Sequence, residues 1–312
     1  MVHQYILDHP NAATLNVEFL DRFALSKTYY ESIRECIYSE AREQAKTQWE
    51  TIDSLSEKDL KFRYPNPNPS TPGEETPMAV KEVVGKVILK DAEKEYGEEL
   101  SKLEQKNEEE FSVFWVERVT SRNAVYNSGL QAVEDAKLQG QLSELLFAYL
   151  LKELVPESIS KARSQGLTRS RKTVKNLQKL ESVLKKEISD LPKLGTALDK
   201  FSKKQTLPVV DEFAVTESRN VMAEDMIRKM QKQSDGPLLF LTLVVVLLAK
   251  KQRSLVYATG KFAPKLMKQL KSSLSEEDFG QLEKWKELAK AGSLTADDKD
   301  QMKNMARGFL LL

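Results

Sequence analysis

PLLFLTLVVVLLAKKQRSLVYATGKFAPKLMKQL, running from Pro237 to Leu270, decides the fold of this chain. From Leu238 to Ala249 it is apolar apart from Thr242, and it passes straight into Lys250 and Lys251. As a helix that run is about 18 Å long, short of the roughly 30 Å hydrocarbon core of a bilayer. A helix that short and apolar on every side has neighbours on every side. The valines offer a rival reading, a strand at Leu243–Leu248. Helix is preferred because nothing else in the sequence gives such a strand a sheet to join.

Working outward, 12 glycines in 312 residues and long charged-apolar runs point the same way. The expected fold class is all-α: a helical bundle or helical repeat-like scaffold with a buried apolar helix near 238–249. Basic and acidic residues number 48 and 47, so net charge is silent about partners and only its distribution speaks. A single cysteine, Cys36, excludes an internal disulfide and a cysteine-based zinc knuckle. Asp8, His9 and Pro10 interrupt the place where a signal peptide needs a continuous apolar core, so no secretory leader and a reducing compartment are expected.

Residues 1–64 read as an N-terminal helical segment. Phe19, Phe23 and Leu25 open its first helix, and Tyr29, Tyr30, Ile33, Ile37, Ala41 and Ala45 continue one apolar stripe. PNPNPSTPGEETP, residues 65–77, is a proline-rich linker. Residues 78–110 form a charged helix whose Leu89, Tyr96, Leu100 and Leu103 suggest a short coiled coil. The C-terminal helical domain, 111–312, opens with bulk from Phe111, Phe114 and Trp115. It continues in LSELLFAYLLKELVP, an amphipathic helix that Pro156 should stop. Leu194–Phe213 and Val215–Met230 supply two more helices, and a further one lies between Ser275 as N-cap, with Asp278 three residues on, and Gly292.

No catalytic, cofactor-binding or metal-binding set emerges. Cys36 has no base near it in sequence, and His3 and His9 lack the carboxylate or cysteine that would complete a ligand pattern. Thr259-Gly260-Lys261 lacks the wider glycine pattern and the hydroxyl after lysine of a phosphate loop. Charge is the one functional signal. Nine basic residues between Lys161 and Lys186, among them Arg163, Arg169, Arg171, Lys172, Lys175 and Lys179, meet one acid, Glu181. A second cluster, Lys250, Lys251, Arg253, Lys261, Lys265 and Lys268, has no acid within it. Two such surfaces on a nearly neutral chain suggest an anionic partner, structured RNA first and acidic protein or anionic lipid second.

DGPLLFLTLVVVLL followed by SLVYATGKFAPKLMKQLKSSLSEEDFGQL resembles the C-terminal domain of the ufmylation E3 ligase family, the ligases for the ubiquitin-fold modifier. The likeness lies in Asp235 and Pro237, the Leu241–Leu248 helix, the turn Tyr257-Ala258-Thr259-Gly260-Lys261, and Pro264. LSELLFAYLLKEL and LGTALDKFSKKQTLPVVDEF look like that family's helices in the same order, so the likeness extends over about 111–288. Residues 1–110 carry none, and no counterpart of the family's N-terminal winged-helix region is seen. The resemblance implies a scaffold without a catalytic cysteine of its own. Such a ligase joins an adaptor at the endoplasmic reticulum membrane, places a modifier-charged conjugating enzyme, and acts at the large ribosomal subunit. It implies a cytoplasmic location, at the endoplasmic reticulum surface through a partner, with the nucleus as an alternative. The short apolar run predicts no membrane-spanning segment, and the residues themselves suggest no cofactor. An RNA-associated or general helical scaffold unrelated to ufmylation rests on the same basic clusters.

Overall fold

The computed structural model describes residues 8, 16–20, 23–51, 60–64, 78–186 and 188–308. The proline-rich stretch 65–77, both histidines and the terminal 309–312 lie outside the described residues. Two units divide the chain, Met1–Glu108 and Glu109–Leu312. Helix dominates both, as the apolar periodicity predicts.

The first unit departs from expectation at its start. Val17–Leu20 (β1) and Phe23–Ser26 (β2) form an antiparallel hairpin in which Leu20 pairs with Phe23, where a helix is expected. Phe19, Phe23 and Leu25 suit either period over so few residues, and alternation buries Leu25 between the exposed Ala24 and Ser26. Ser26 then caps α1 (Lys27–Glu50), accepting a hydrogen bond from the Tyr29 N–H. Ile37, Ala41 and Ala45 of α1 share a core with Val84, Ile88, Ala92 and Tyr96 of α2 (Met78–Trp115). On α2 the seam therefore steps by four, whereas the expected coiled-coil seam begins at Leu89, which is exposed. Two glutamines one turn apart on α1 hold the segment 60–64 as a strand edge would. Gln44 exchanges hydrogen bonds with the Arg63 backbone at 2.8 and 3.0 Å, and Gln48 with that of Lys61 at 3.1 and 3.2 Å.

The second unit begins with the last turn of α2, where Phe111 and Trp115 stack and meet Phe201. A π-helical turn, Val116–Thr120, leads into α3 (Ser121–Gln131). Asp135 caps α4 (Ala136–Tyr149), a second π turn spans Leu150–Leu154, and α5 (Val155–Ser164) follows without a break. Pro156 does not stop this helix. The Val155 N–H bonds the Leu150 carbonyl five residues back, so the ladder is already shifted where proline has no donor to offer. Then come α6 (Arg171–Lys186), α7 (Leu191–Gln205) and α8 (Glu212–Met230). α7 ends at Gln205, eight residues before the expected Phe213, because Thr206 turns left-handed at its C-cap and Pro208 follows.

The organising run is α9 (Gly236–Lys251), N-capped by Asp235, whose carboxylate accepts from the Leu238 N–H at 2.8 Å. It is a helix, buried at Leu239, Phe240, Leu241 and every residue from Leu243 to Ala249. α8, α10 (Ala263–Gln269), α11 (Glu276–Ala291) and α12 (Ala296–Gly308) pack around it. Where α9 ends, the chain passes so close to α3 that Ser254 donates a hydrogen bond to the Gly129 carbonyl at 2.9 Å.

Val245, 2% exposed, should not tolerate a charge. Val245→Asp is expected to cost on the order of 4 kcal/mol in denaturant unfolding, since it buries an unpaired carboxylate. Gly129 gives a second check. A Cβ there would lie 2.1 Å from the Leu255 carbonyl oxygen and 2.6 Å from its carbon, both backbone atoms that cannot swing aside. In an open helix Gly→Ala stabilises by up to about 1 kcal/mol. Here Gly129→Ala is expected to destabilise by about 1–3 kcal/mol, and the sign of the change in chemical unfolding decides.

Candidate anionic-partner surface

α6 arises from an apolar column, Leu177, Leu180 and Leu184, packed chiefly on α7 with Thr173 also buried. At 100° per residue, Arg171, Lys172, Lys175, Lys179 and Lys186 then fall within an arc of about 100° on the opposite side. All five are exposed. A fan over several faces is not what forms: helical spacing itself gathers these five cations onto the side away from the apolar column.

Arg163 faces Glu181 instead. From α5 its guanidinium donates two hydrogen bonds to Glu181 of α6, at 3.0 and 2.8 Å, and this pairing raises its already high pKa. The one acid of the stretch is thereby paired with one of its bases. Arg169 lies in the turn before α6, half-buried, its guanidinium about 3.3 Å from where a Gly166 Cβ would sit.

The second cluster is strung out rather than gathered. Lys261, Lys265 and Lys268 follow the three-to-four spacing of one helical face across Gly260–Phe262 and α10. Lys261 lies over the Phe262 ring, 4.9 Å from its centroid, and Lys265 donates to Gln141 of α4 at 3.1 Å. Lys250, Lys251 and Arg253 sit at the other end, where Gln252 binds the Gln269 carbonyl at 2.5 Å and Ser273 at 2.9 Å. Arg253 has a positive φ of 53°, and its carbonyl accepts from the buried Arg219 at 3.3 Å. Burial, and then the neighbouring Arg253 charge, lowers the Arg219 pKa. Three lysines on α7 absent from the expected surface, Lys200, Lys203 and Lys204, are also exposed. Their signal is present as a run of bases after Asp199, but nothing in the sequence places them beside α6.

Other chemistry is sparse on this molecule. Cys36 is exposed on α1. Among the described residues no group of three His, Cys, Asp or Glu side chains could hold a metal ion, and no helix is long and apolar enough to cross a membrane.

Fold and surface together define an all-α helical bundle with cationic outer faces. Within it, residues 218–307 match the E3 UFM1-protein ligase 1 C-terminal domain, and the chain carries that domain. The match takes in most of α8 and all of α9, α10 and α11, and ends within α12, so it is α9 with the helices that enclose it. It covers less than a third of the 312 residues and leaves α6 outside, while the cluster from Lys250 to Lys268 lies inside. No curated protein matches the chain.

Proposed function

We propose that this protein is a helical scaffold part of a ufmylation E3 ligase or of a divergent relative. In this reading it binds the large ribosomal subunit and helps to place a modifier-charged conjugating enzyme. The carrying observation is the C-terminal ligase domain at 218–307, built around α9. The one-sided cationic face of α6 supports a ribosomal partner, because phosphate binding needs many cations on one surface and little else. Arg171, Lys172, Lys175 and Lys179 would then meet phosphate oxygens rather than base edges. An adaptor and the conjugating enzyme are the protein partners, and the cytoplasmic face of the endoplasmic reticulum is the proposed place of work. The chain assigns no step to Cys36; rate enhancement would come from placement alone.

Co-sedimentation with purified large ribosomal subunits at two salt concentrations tests this. Arg171→Glu, Lys172→Glu and Lys175→Glu together should weaken binding strongly. They should also reduce the salt dependence by about one power of concentration for each phosphate no longer neutralised. Circular dichroism melting of the triple mutant beside wild type separates lost binding from lost fold, the apolar column Leu177, Leu180 and Leu184 being kept. Equal pelleting of triple mutant and wild type at both salts ends the ribosomal reading. Equal affinity for any naked RNA would favour a general RNA-associated scaffold.

A further inference from the structure

Between α6 and α7 runs a groove of about 380 Å³. Its floor is apolar, from Leu180, Val183, Ile188 and Ala197, with Phe201 at its base. Its rim is cationic: Lys179 from α6 faces Lys193, Lys200 and Lys204 of α7, and no acidic side chain is among the described lining residues. We propose that this groove docks an acidic amphipathic helix of a partner protein, its apolar side chains on the floor and its carboxylates on the lysines. The groove shares Lys179 with the outer face of α6, but Lys193, Lys200 and Lys204 belong to the groove alone, so variants at Lys200 and Lys204 test it apart from the ribosomal reading.

Three features select that occupant. Lys193 and Lys204 are eleven positions apart on one helix, a separation of roughly 16 Å along the axis. A small anion meets one end only, whereas a ligand with several carboxylates along its length meets both. The floor needs apolar groups, and the lysine stems extend that apolar lining while their ammonium groups remain in water. An acidic chain without apolar residues would leave the floor uncovered. A nucleic acid lacks the side chains for that floor, and the groove has no ring face on which a base can stack. Phe201 is only 3% exposed and is held against Trp115 at 4.8 Å between ring centres. Lys193 is partly committed, to Ser189 at 2.8 Å and Asp190 at 3.6 Å, so Lys179, Lys200 and Lys204 carry the recognition.

The test uses the full chain and a fluorescein-labelled helical peptide of about twelve residues, long enough to span the lysines. It carries leucines at i and i+4 with glutamates flanking them. Companion probes replace Glu by Gln, replace Leu by Ser, or are an oligouridine of equal length. Fluorescence anisotropy should show saturable binding of the Glu/Leu peptide, weakened about tenfold or more when either its glutamates or its leucines are replaced. Lys200→Glu with Lys204→Glu should abolish it. Thr196→Trp, which fills the groove from an exposed position without changing charge, should weaken it about as much as loss of the leucines. Circular dichroism melting of both variants confirms that the fold is kept. If the Leu→Ser peptide binds as well as the parent, or Thr196→Trp binds like wild type, the floor is not used and the proposal is wrong. It is also overturned if oligouridine binds more tightly and responds to the same variants.

Discussion

Everything in the C-terminal unit follows from the need to enclose α9. A helix whose residues from Leu243 to Ala249 are all apolar and all buried has no face to give to water. One partner helix covers only part of such a surface; α8, α10, α11 and α12 divide it between them. That demand also fixes how the chain leaves. After Lys251 it must turn out of a crowded centre, and it does so against α3 at a place where a missing Cβ admits a backbone, Gly129 beneath Leu255. Ser254, itself buried, satisfies its hydroxyl on the Gly129 carbonyl there. Enclosure, exit turn and following helix are thus one constraint, and the match to a ligase C-terminal domain covers α9, its exit turn and α10 and α11 but not Gly129 of α3.

A core satisfied in this way leaves the outer helices free to specialise. α6 needs only one apolar column to be held, so its other side can carry cations at almost no cost to stability. The pairing of Arg163 with Glu181 sharpens the division, tying α5 to α6 and removing the one opposing charge from the stretch. Between α6 and α7 the same economy leaves a lysine-rimmed groove with an apolar floor. Outer face and groove differ in what they can recognise: the first offers charge alone, the second charge with a place for side chains.

How much of this is legible in the sequence depends on the range of the interactions involved. α9 is legible because its signal is local and saturated. The caps at Ser275 and Gly292 are legible because each is local: a hydroxyl that accepts from the Asp278 N–H, and a glycine that takes the left-handed turn ending the helix. The hairpin at Val17–Ser26 reads as helix from sequence, since four residues per strand are too few to separate a period of two from one of 3.6. Pro156 reads as a stop because the π turn before it, in which the Val155 N–H reaches the Leu150 carbonyl, has no local signal in the sequence. At the candidate surface the sequence identifies the cations but not their fates. The loss of Arg163 to Glu181, the spreading of the Lys250–Lys268 group and the meeting of Lys179 with Lys200 and Lys204 all arise between helices.

The central claim is that an inert, enclosed α9 supports an outer cationic helix that does the binding. Amide hydrogen exchange, measured on the protein alone and with purified large ribosomal subunits, tests both halves at once. Alone, amides of Leu243–Leu248 should be among the slowest in the chain, exchanging only through global unfolding, with those of α6 opening locally and faster. With subunits present, added protection should appear over Arg171–Lys186 and leave Leu243–Leu248 as they were. Fast exchange within α9 in the free protein, or subunit-dependent protection that spares α6 altogether, would contradict the account.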